Sequence, residues 1–445
     1  MIVSHGTTDQ PAREDAFGIG KYISGLCTFI STCDTPMTIA IQGDWGSGKT
    51  SVMEMVRTRL ASMETIIADL PRKSVYTVWF NTWQYSQFNS GDVLPLSLIE
   101  ALVDDLGIAD GEANAKMMNS IDRIGSVLTT LGKTALVVGT ERVAGRFAAE
   151  KVEKHIGAGR ATGDKDEAMA FNKTIATLKA RFQDCIDAAI EKNQVERIAI
   201  FVDDLDRLEP LRAVELLEVL KVFLDCERCV FILAIDYDVV VSGVQSKYGR
   251  DFDTSKGKNF FDKIIQVPFN MPVASYDIAR YVKRTLEDVS GMICDANETR
   301  LIVSLINSSI GTNPRSMKRL FNSFLLLLNV LDADTLGSNA RKMILFALLC
   351  MQQGFERLYN YIVINRDILD ADFFERLGTH DGCAEILSNT VDAKDTNVRD
   401  LVRFMVFFVE VLDSNDIEGI DEEDMELLRE LINNATIVAT DIDDE

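Results

Sequence analysis

The stretch from residue 37 to residue 62 constrains the fold more than any other part of the chain. It begins with the apolar run MTIAIQ and continues with the glycine-rich segment GDWGSGKT at residues 43–50. A helical pattern follows over Lys49–Ser62, with apolar side chains three and four residues apart. The glycine-rich segment fits G-x-x-x-x-G-K-[ST] in full and has the strand–loop–helix context that this pattern requires. The sequence therefore predicts a phosphate-binding loop between a buried strand and a helix.

The residue types of this loop suit a chain of phosphates. Its glycines let the backbone curl until successive N–H groups converge, and the following helix adds the positive end of its dipole. Lys49 is expected to reach the β- and γ-phosphates, and the Thr50 hydroxyl to ligate Mg²⁺. The alternative is a glycine-rich turn with a solvated lysine. The predicted nucleotide-binding residues of the loop are Gly43, Asp44, Trp45, Gly46, Ser47, Gly48, Lys49, Thr50 and Ser51.

A second acidic site follows another apolar run, in the segment RIAIFVDDLDRLEP. Asp203 and Asp204 fall at the carboxyl end of this predicted strand, which is the edge where ligands bind in open α/β sheets. Asp203 is expected to hold Mg²⁺ through its water shell, and Asp204 to act as general base on the attacking water. The alternative is an acidic turn that caps the next helix, a role that would suit Asp206.

Two further positions suit nucleotide sensing. Asp236 ends the apolar run CVFILAID, where its side chain could reach the γ-phosphate or merely cap the next helix. Arg315, Lys318 and Arg319 begin a helical pattern, where cations oppose the helix dipole. This placement indicates either phosphate contact or a solvated face. Arg207 and Arg315 are candidates for an arginine that completes the site, in the same or a neighbouring subunit.

The apolar runs of the chain define its fold class. Near-continuous apolarity in short, β-branched segments is typical of a parallel sheet covered on both faces. Helical patterns between these segments indicate a doubly wound α/β domain. The predicted strands are Met37–Gln42, Val75–Asn81, Ile198–Asp203, Cys229–Asp236 and Ile264–Phe269.

The expected domain organisation has four parts. Residues 1–36 lead into the nucleotide site, and residues 37–272 form the core, with a helical insertion at about 113–192. A helical domain follows over 273–412. Residues 413–445 form an acidic tail in which Arg429 is the single basic residue.

The charge of the chain narrows the range of partners. Sixty-nine acidic residues against 46 basic ones give a formal net charge of −23, which disfavours broad wrapping of DNA. A DNA-associated motor is therefore a disfavoured alternative. Within the acidic tail, four apolar residues form a short amphipathic pattern, which is read as a solvated helix with a possible docking stripe. They are Met425, Leu428, Leu431 and Ile432.

The sequence also predicts a cytoplasmic protein without an integral membrane segment. The first residues are polar, with no apolar core of a secretory signal. The most membrane-like stretch, Ile124–Thr140, is shorter than a spanning helix and contains Lys133. Eight cysteines at irregular spacing favour a reducing compartment over a disulfide framework.

Several motifs together resemble the KAP family of P-loop NTPases. Besides the phosphate loop, they are WFNTWQY at 79–85, VDDLDRL at 202–208, FFDKIIQVPFNMP at 260–272 and NPRSMKR at 313–319. The resemblance implies an ASCE-type five-stranded core that binds ATP, with a helical lid behind it. It also implies that Asn81 and Trp83 lie near the nucleotide edge of the sheet. Four residues would lie near the nucleotide base: Asp15, Phe17, Gly18 and Tyr22.

The resemblance does not carry over in every respect. Many KAP members have transmembrane helices between the two nucleotide motifs, and this chain has only the lysine-interrupted stretch there. Bacterial relatives are linked with phage exclusion, a role implied by analogy alone. The function expected is an ATP-hydrolysing switch in which Arg315 links the core to the lid, with a low-turnover nucleotide-binding scaffold as the alternative. Its expected partner is a second copy of the chain or an effector protein.

Overall fold

The structure is a computed structural model that describes residues 6, 8–67, 70–84, 94–108, 111–131, 164–248, 261–331, 338–366, 368–390, 398–412 and 422–438. Contacts divide the chain into two compact units. The sheet unit consists of Pro11–Glu14 and Gly20–Met271. The helical unit consists of Met1–Gln10, Asp15–Ile19 and Pro272–Glu445.

A parallel sheet forms the centre of the sheet unit. In the described part of the chain it has five strands in the order β4-β5-β6-β1-β7. Strands β5 and β6 are almost wholly buried, as expected for strands covered on both faces. A separate antiparallel hairpin pairs β2 with β3. The strands are β1 (Met37–Gln42), β2 (Glu64–Ile67), β3 (Leu70–Lys73), β4 (Val75–Asn81), β5 (Arg197–Asp203), β6 (Cys229–Ile235) and β7 (Val267–Asn270).

Helices connect these strands and cover the sheet. Helix α2 directly follows the phosphate loop, and α6 and α7 pack against each other after β5 and β6. The helices of this unit are α1 (Gly20–Thr32), α2 (Lys49–Ser62), α3 (Leu94–Asp105), α4 (Glu112–Leu131), α5 (Asp164–Asn193), α6 (Pro210–Leu220) and α7 (Tyr237–Tyr248). Helices α4 and α5 occupy the predicted insertion, of which residues 132–163 lie outside the described residues.

The predicted α/β class is confirmed, with two differences in detail. The last strand is shorter and later than expected, because Ile264 and Ile265 are buried in a turn that precedes it. The β2–β3 hairpin was missed, because its two short segments lack the apolar runs that marked the other strands. Neither difference changes the order of the central strands.

The helical unit has its core around α11, whose residues from Met343 to Gln352 are all buried. A helix that is buried all round must have neighbours on every side, and α10, α15 and α16 are among them. The helices of this unit are α8 (Ile278–Ser290), α9 (Ala296–Ser308), α10 (Pro314–Val330), α11 (Asn339–Gly354), α12 (Glu356–Asn365), α13 (Ala371–Leu377), α14 (His380–Thr390), α15 (Val398–Leu412) and α16 (Glu422–Ala435).

The amphipathic pattern of the acidic tail forms α16, and its apolar face is internal. Each of its four apolar residues is at most 2% exposed, and the helix packs on α11. Arg429 donates hydrogen bonds to the backbone oxygens of Arg366 and Leu369. The interpretation of this pattern as an exposed docking stripe was therefore wrong, because the stripe fills the core of its own unit. Residues 413–421 and 439–445 lie outside the described residues.

Among the residues that the structure describes, no helix combines the length and apolarity needed to cross a membrane. Part of the membrane-like stretch, residues 132–140, lies outside them.

Candidate phosphate-binding site

The fold brings the predicted site residues of the sheet unit to one edge. The loop at 43–50 follows the carboxyl end of β1, and Asp203 ends β5, with β6 between these two strands. Asn81 ends β4 and lies beside Asp203 in the parallel register. Because the carboxyl ends of parallel strands meet at one edge, residues more than 150 positions apart become neighbours there.

The loop geometry depends on its glycines. Gly46 and Gly48 have φ angles of 85° and 99°, in the left-handed region that other residues rarely enter. Gly43 is required for space, since a Cβ there would lie 2.8 Å from Ser47 Oγ and 3.0 Å from Met271 Cγ. The glycines therefore hold the tight curve that a phosphate loop needs.

Lys49 is buried at the start of α2 and has three acceptors. Its Nζ donates to the carbonyl oxygens of Gly43 at 2.7 Å and Asp44 at 3.1 Å. It also forms an ion pair with Asp206 Oδ2 at 2.7 Å, in which the two side chains are 7% and 6% exposed. The solvated lysine considered as the alternative is therefore wrong. The capping role considered for Asp206 is also not seen, because Glu209 precedes α6 and Asp206 turns toward the loop.

Thr50 and Asp203 join the loop to the acidic strand end. The Thr50 hydroxyl donates to Asp203 Oδ1 at 3.1 Å. The other oxygen, Oδ2, is buried and has no hydrogen-bond partner among the described residues. Burial raises the pKa of Asp203 to about 6, and the charge of Asp204 adds to this rise. A buried carboxylate oxygen without a partner is costly, so this atom points to a ligand.

The donor set at this point fits Mg²⁺. Thr50 and Asp203 offer hard oxygen ligands, which Mg²⁺ prefers, and Mg²⁺ commonly takes one or two protein ligands while phosphates and waters supply the rest. The part of the chain that the structure describes has no group of three His, Cys, Asp or Glu residues able to hold a metal. A Mg²⁺ site shared with a nucleotide does not need such a group.

Asp204 faces different partners from its neighbour. Its φ of 59° lies in the left-handed region, which aspartate tolerates better than most residues. Asn81 Nδ2 donates to Asp204 Oδ2 at 2.7 Å, and Arg207 Nε pairs with Asp204 Oδ1 at 2.7 Å. Thr82 donates to the backbone oxygen of Asp203 at 2.9 Å. Four side chains thus fix the two aspartates in separate orientations.

Two other predicted residues of this unit have partners within the protein. Asp236 Oδ1 accepts from the backbone N–H of Asp238 at 3.0 Å, in the first turn of α7. Ser51 Oγ accepts from the backbone N–H of Ala12 at 3.0 Å. Trp45 is 59% exposed. Nucleotide contact by these three residues stays a prediction.

In the helical unit, two of the three cations at the start of α10, Arg315 and Lys318, contact the N-terminal segment. Asn313 caps the helix by accepting from the backbone N–H groups of Arg315 and Ser316. Arg315 Nη2 pairs with Asp9 Oδ2 at 2.8 Å. Lys318 Nζ donates to the backbone oxygens of Thr8 and Gln10. This anchoring accounts for cations at a helix N-terminus without phosphate, so the phosphate contact of Arg315 stays a prediction.

Two of the four residues that the resemblance assigned to the nucleotide base, Asp15 and Phe17, have structural partners. Asp15 Oδ1 accepts from the backbone N–H groups of Phe17 and Ile19. The ring of Phe17 stacks on those of Tyr276 and Tyr281, with centroids 4.7 and 4.5 Å apart. Their proximity to a nucleotide base stays a prediction.

Two contributors to the site were missed from sequence: Asp206 as the partner of Lys49, and Thr82. Asp206 carried a weak signal, because it is the third acid of DDLD and follows the strand end closely. For Thr82 the sequence carried no signal apart from its position directly after β4.

A parallel sheet with this loop, and with Thr50 bonded to an acidic strand end, defines the class of P-loop NTPases. Within that class, residues 20–331 match the model of the KAP family P-loop domain, and the chain belongs to the KAP family. It is also similar to the phage T7 exclusion protein of Escherichia coli, with 21% identity over 332 residues. This similarity covers 71% of the chain and 42% of that relative, so the chain spans less than half of the relative's length.

Proposed function

We propose that the protein binds ATP with Mg²⁺ at residues 43–51 and hydrolyses it as a nucleotide-driven switch. The observation that carries this proposal is the contact between Thr50 and Asp203, which leaves Asp203 Oδ2 buried beside the phosphate loop. That oxygen supports a cation at the point where the loop would present a polyphosphate.

Each residue of the site has a task in this reaction. The backbone N–H groups of the loop and the Lys49 ammonium bind the phosphates. Thr50 and Asp203 hold the cation, and Mg²⁺ supplies neutralisation of the developing phosphate charge. Asp204 accepts the proton of the attacking water. Arg315 is the candidate for an additional phosphate contact, which requires its release from Asp9.

A low-turnover nucleotide-binding scaffold is a second candidate, and one observation favours it. Both carboxylate oxygens of Asp204 are engaged, one by Asn81 and one by Arg207. A carboxylate has about four acceptor sites, so these two contacts leave it able to take a proton but fix the direction of its remaining lone pairs. Hydrolysis is therefore expected to be slow until the carboxylate turns toward the attacking water.

The rate of phosphate release with and without Asp204 separates the two candidates. Asp204→Asn is expected to keep ATP binding and to lower Mg²⁺-dependent release by a factor on the order of 10² to 10⁴. Glu209→Gln is a matched control, because Glu209 lies five residues on and its side chain is 66% exposed. Phosphate release at background in a wild-type protein that binds ATP would favour the scaffold.

We also propose that the switch acts in the exclusion of phage, by analogy with the relative whose name states this role. The test compares plaque formation on cells that carry the wild type, Lys49→Ala or no copy of the protein. Fewer plaques with the wild type alone are expected. Equal plaque numbers in all three strains across a panel of phages would remove this role.

The partner proposed for the switch is a second copy of the chain or an effector protein, in the cytoplasm. Light scattering of the purified protein with and without Mg²⁺-ATP measures self-assembly directly. A mass that rises with ATP supports self-assembly, whereas an unchanged monomer mass favours an effector.

A further inference from the structure

One short turn contacts both the phosphate-binding lysine and the candidate base. Residues Leu205–Arg207 form a 3-10 turn directly after Asp204, closed by a hydrogen bond from the backbone N–H of Arg207 to the backbone carbonyl oxygen of Asp204. Asp206 points to Lys49 and Arg207 points to Asp204, both at 2.7 Å. A shift of this turn therefore changes the surroundings of both functional groups.

The contacts of Lys49 show what a phosphate must displace. A lysine ammonium has three N–H donors, and the three acceptors of Lys49 are Gly43 O, Asp44 O and Asp206 Oδ2. The two carbonyls belong to the loop itself and are neutral. Asp206 is the acceptor that carries a charge and lies on a separate element, so it is the one that an incoming anion replaces.

The pair between Lys49 and Asp206 stabilises the nucleotide-free loop. Both side chains are over nine-tenths buried, and a buried charge that loses its partner is strongly destabilised. Asp206 thus supplies in the absence of nucleotide the negative charge that a phosphate supplies in its presence. The same contact must be lost when the lysine turns to a phosphate.

We propose that Asp206 is an internal competitor of the nucleotide phosphates for Lys49, and that its displacement moves the turn that holds Asp204. Binding of a nucleoside triphosphate would then free Asp206, shift Arg207 and let the Asp204 carboxylate turn toward the attacking water. Asp206 is a positioning residue in this scheme. The inference rests on the proposed function, because it names how that site is regulated.

Asp206→Asn tests the competition. Asparagine keeps the shape and an acceptor oxygen but removes the negative charge that competes with the phosphates. The interaction of Lys49 with a phosphate should therefore be stronger in the variant than in the wild type. Calorimetric titration of Mg²⁺-ATP is expected to show binding about tenfold tighter than in the wild type, equivalent to about 1.4 kcal/mol. Glu209→Gln, a matched loss of a carboxylate from an exposed pair, should leave the affinity within about twofold. Equal or weaker binding by Asp206→Asn overturns the proposal.

A stability cycle without nucleotide tests the pair itself. Asp206→Asn and Lys49→Met should each lower the unfolding midpoint, since each leaves a buried group of the opposite sign without its partner. The double variant should lose less than the sum of the single losses. Additive losses overturn the proposal, because they show that the two residues do not interact.

The two measurements separate this inference from the function on which it rests. A wild type that binds neither ATP nor inorganic triphosphate overturns both. A wild type that binds ATP, with Asp206→Asn no tighter, overturns the internal competition and leaves the ATP site intact. Tighter binding together with a non-additive cycle supports both.

Discussion

Replacement of Asp203 by asparagine should change the pH dependence of stability in a direction set by burial. Burial raises the pKa of this carboxyl from 3.8 to about 6 in the folded chain. Between these values the folded chain binds more protons than the unfolded chain, so stability is lost as the pH rises through this window. Asparagine does not titrate, so the variant lacks this loss.

The size of this stability loss follows from the shift in the pKa of Asp203. One pKa unit corresponds to about 1.4 kcal/mol, so the shift of roughly two units costs the wild type about 3 kcal/mol at pH 8. About 1.4 kcal/mol of this cost develops between pH 5 and pH 8. Because Asp203 is 2% exposed, solvent screening removes little of it.

Tryptophan fluorescence provides the assay. All three tryptophans, at positions 45, 79 and 83, lie in the sheet unit, so their signal reports unfolding of that unit alone. Guanidinium unfolding is measured at pH 5 and pH 8 with a chelator, for the wild type and Asp203→Asn. From pH 5 to pH 8 the variant should gain about 1.4 kcal/mol relative to the wild type.

The difference between the two proteins cancels the titrating groups that do not interact with Asp203, so its change with pH reports Asp203 together with the nearby Asp204 and Asp206. A difference that is constant from pH 5 to pH 8 would refute the raised pKa. A difference that changes in the opposite direction would show that Asp203 is stabilised in its charged form. With Mg²⁺-ATP added, the wild type should be stabilised more than the variant, since ionised Asp203 holds the cation.

Two further predictions concern single substitutions, and the second has an exposed position as its control. Gly43→Ala should weaken ATP binding about tenfold, as measured by calorimetry. The new Cβ would lie 2.8 Å from Ser47 Oγ, and such overpacking costs about 1–3 kcal/mol. An unchanged affinity would show that the loop can accommodate the added methyl group. Leu428→Ala should cost the helical unit about 2–5 kcal/mol in urea unfolding followed by circular dichroism, whereas Ile437→Ala, at 57% exposure, should stay within about 0.5 kcal/mol. Equal losses of stability in Leu428→Ala and Ile437→Ala would contradict the burial of the apolar face of α16.

Local features of the sequence predicted the part of the site that depends on neighbouring residues. The bounds of β1 and α2 agree with the prediction residue for residue, because an apolar run, a set of glycines and a helical period fix them without help from distant parts of the chain. The fold class followed from the same kind of pattern, repeated along the chain.

Contacts between distant residues were beyond this reasoning. Nothing in the spacing shows that Asp206 meets Lys49, because a three-residue turn and the order of the strands together decide where its side chain points. The cations at the start of α10 illustrate the same limit. Their unfavourable position on the helix was visible from the sequence. It did not show that Arg315 and Lys318 contact residues from Thr8 to Gln10, about 300 positions earlier.

The acidic tail shows how a correct pattern led to a wrong interpretation. The spacing of its apolar residues predicted an amphipathic helix, and α16 has that period. Spacing alone cannot say what covers the apolar face, and strong negative charge nearby favoured an exposed face. Glu422, Glu426 and Glu430 are exposed, while the apolar face packs on α11.

Calorimetric titration of Mg²⁺-ATP into the wild type and into Lys49→Ala tests the central claim most directly. The wild type is expected to bind one ATP, with an affinity that falls when Mg²⁺ is chelated. Lys49→Ala should bind at least about 100-fold more weakly, since a charge-assisted contact to the phosphates is lost. Equal affinities in the two proteins, or no binding by the wild type, would contradict the assignment of residues 43–51 as its ATP site.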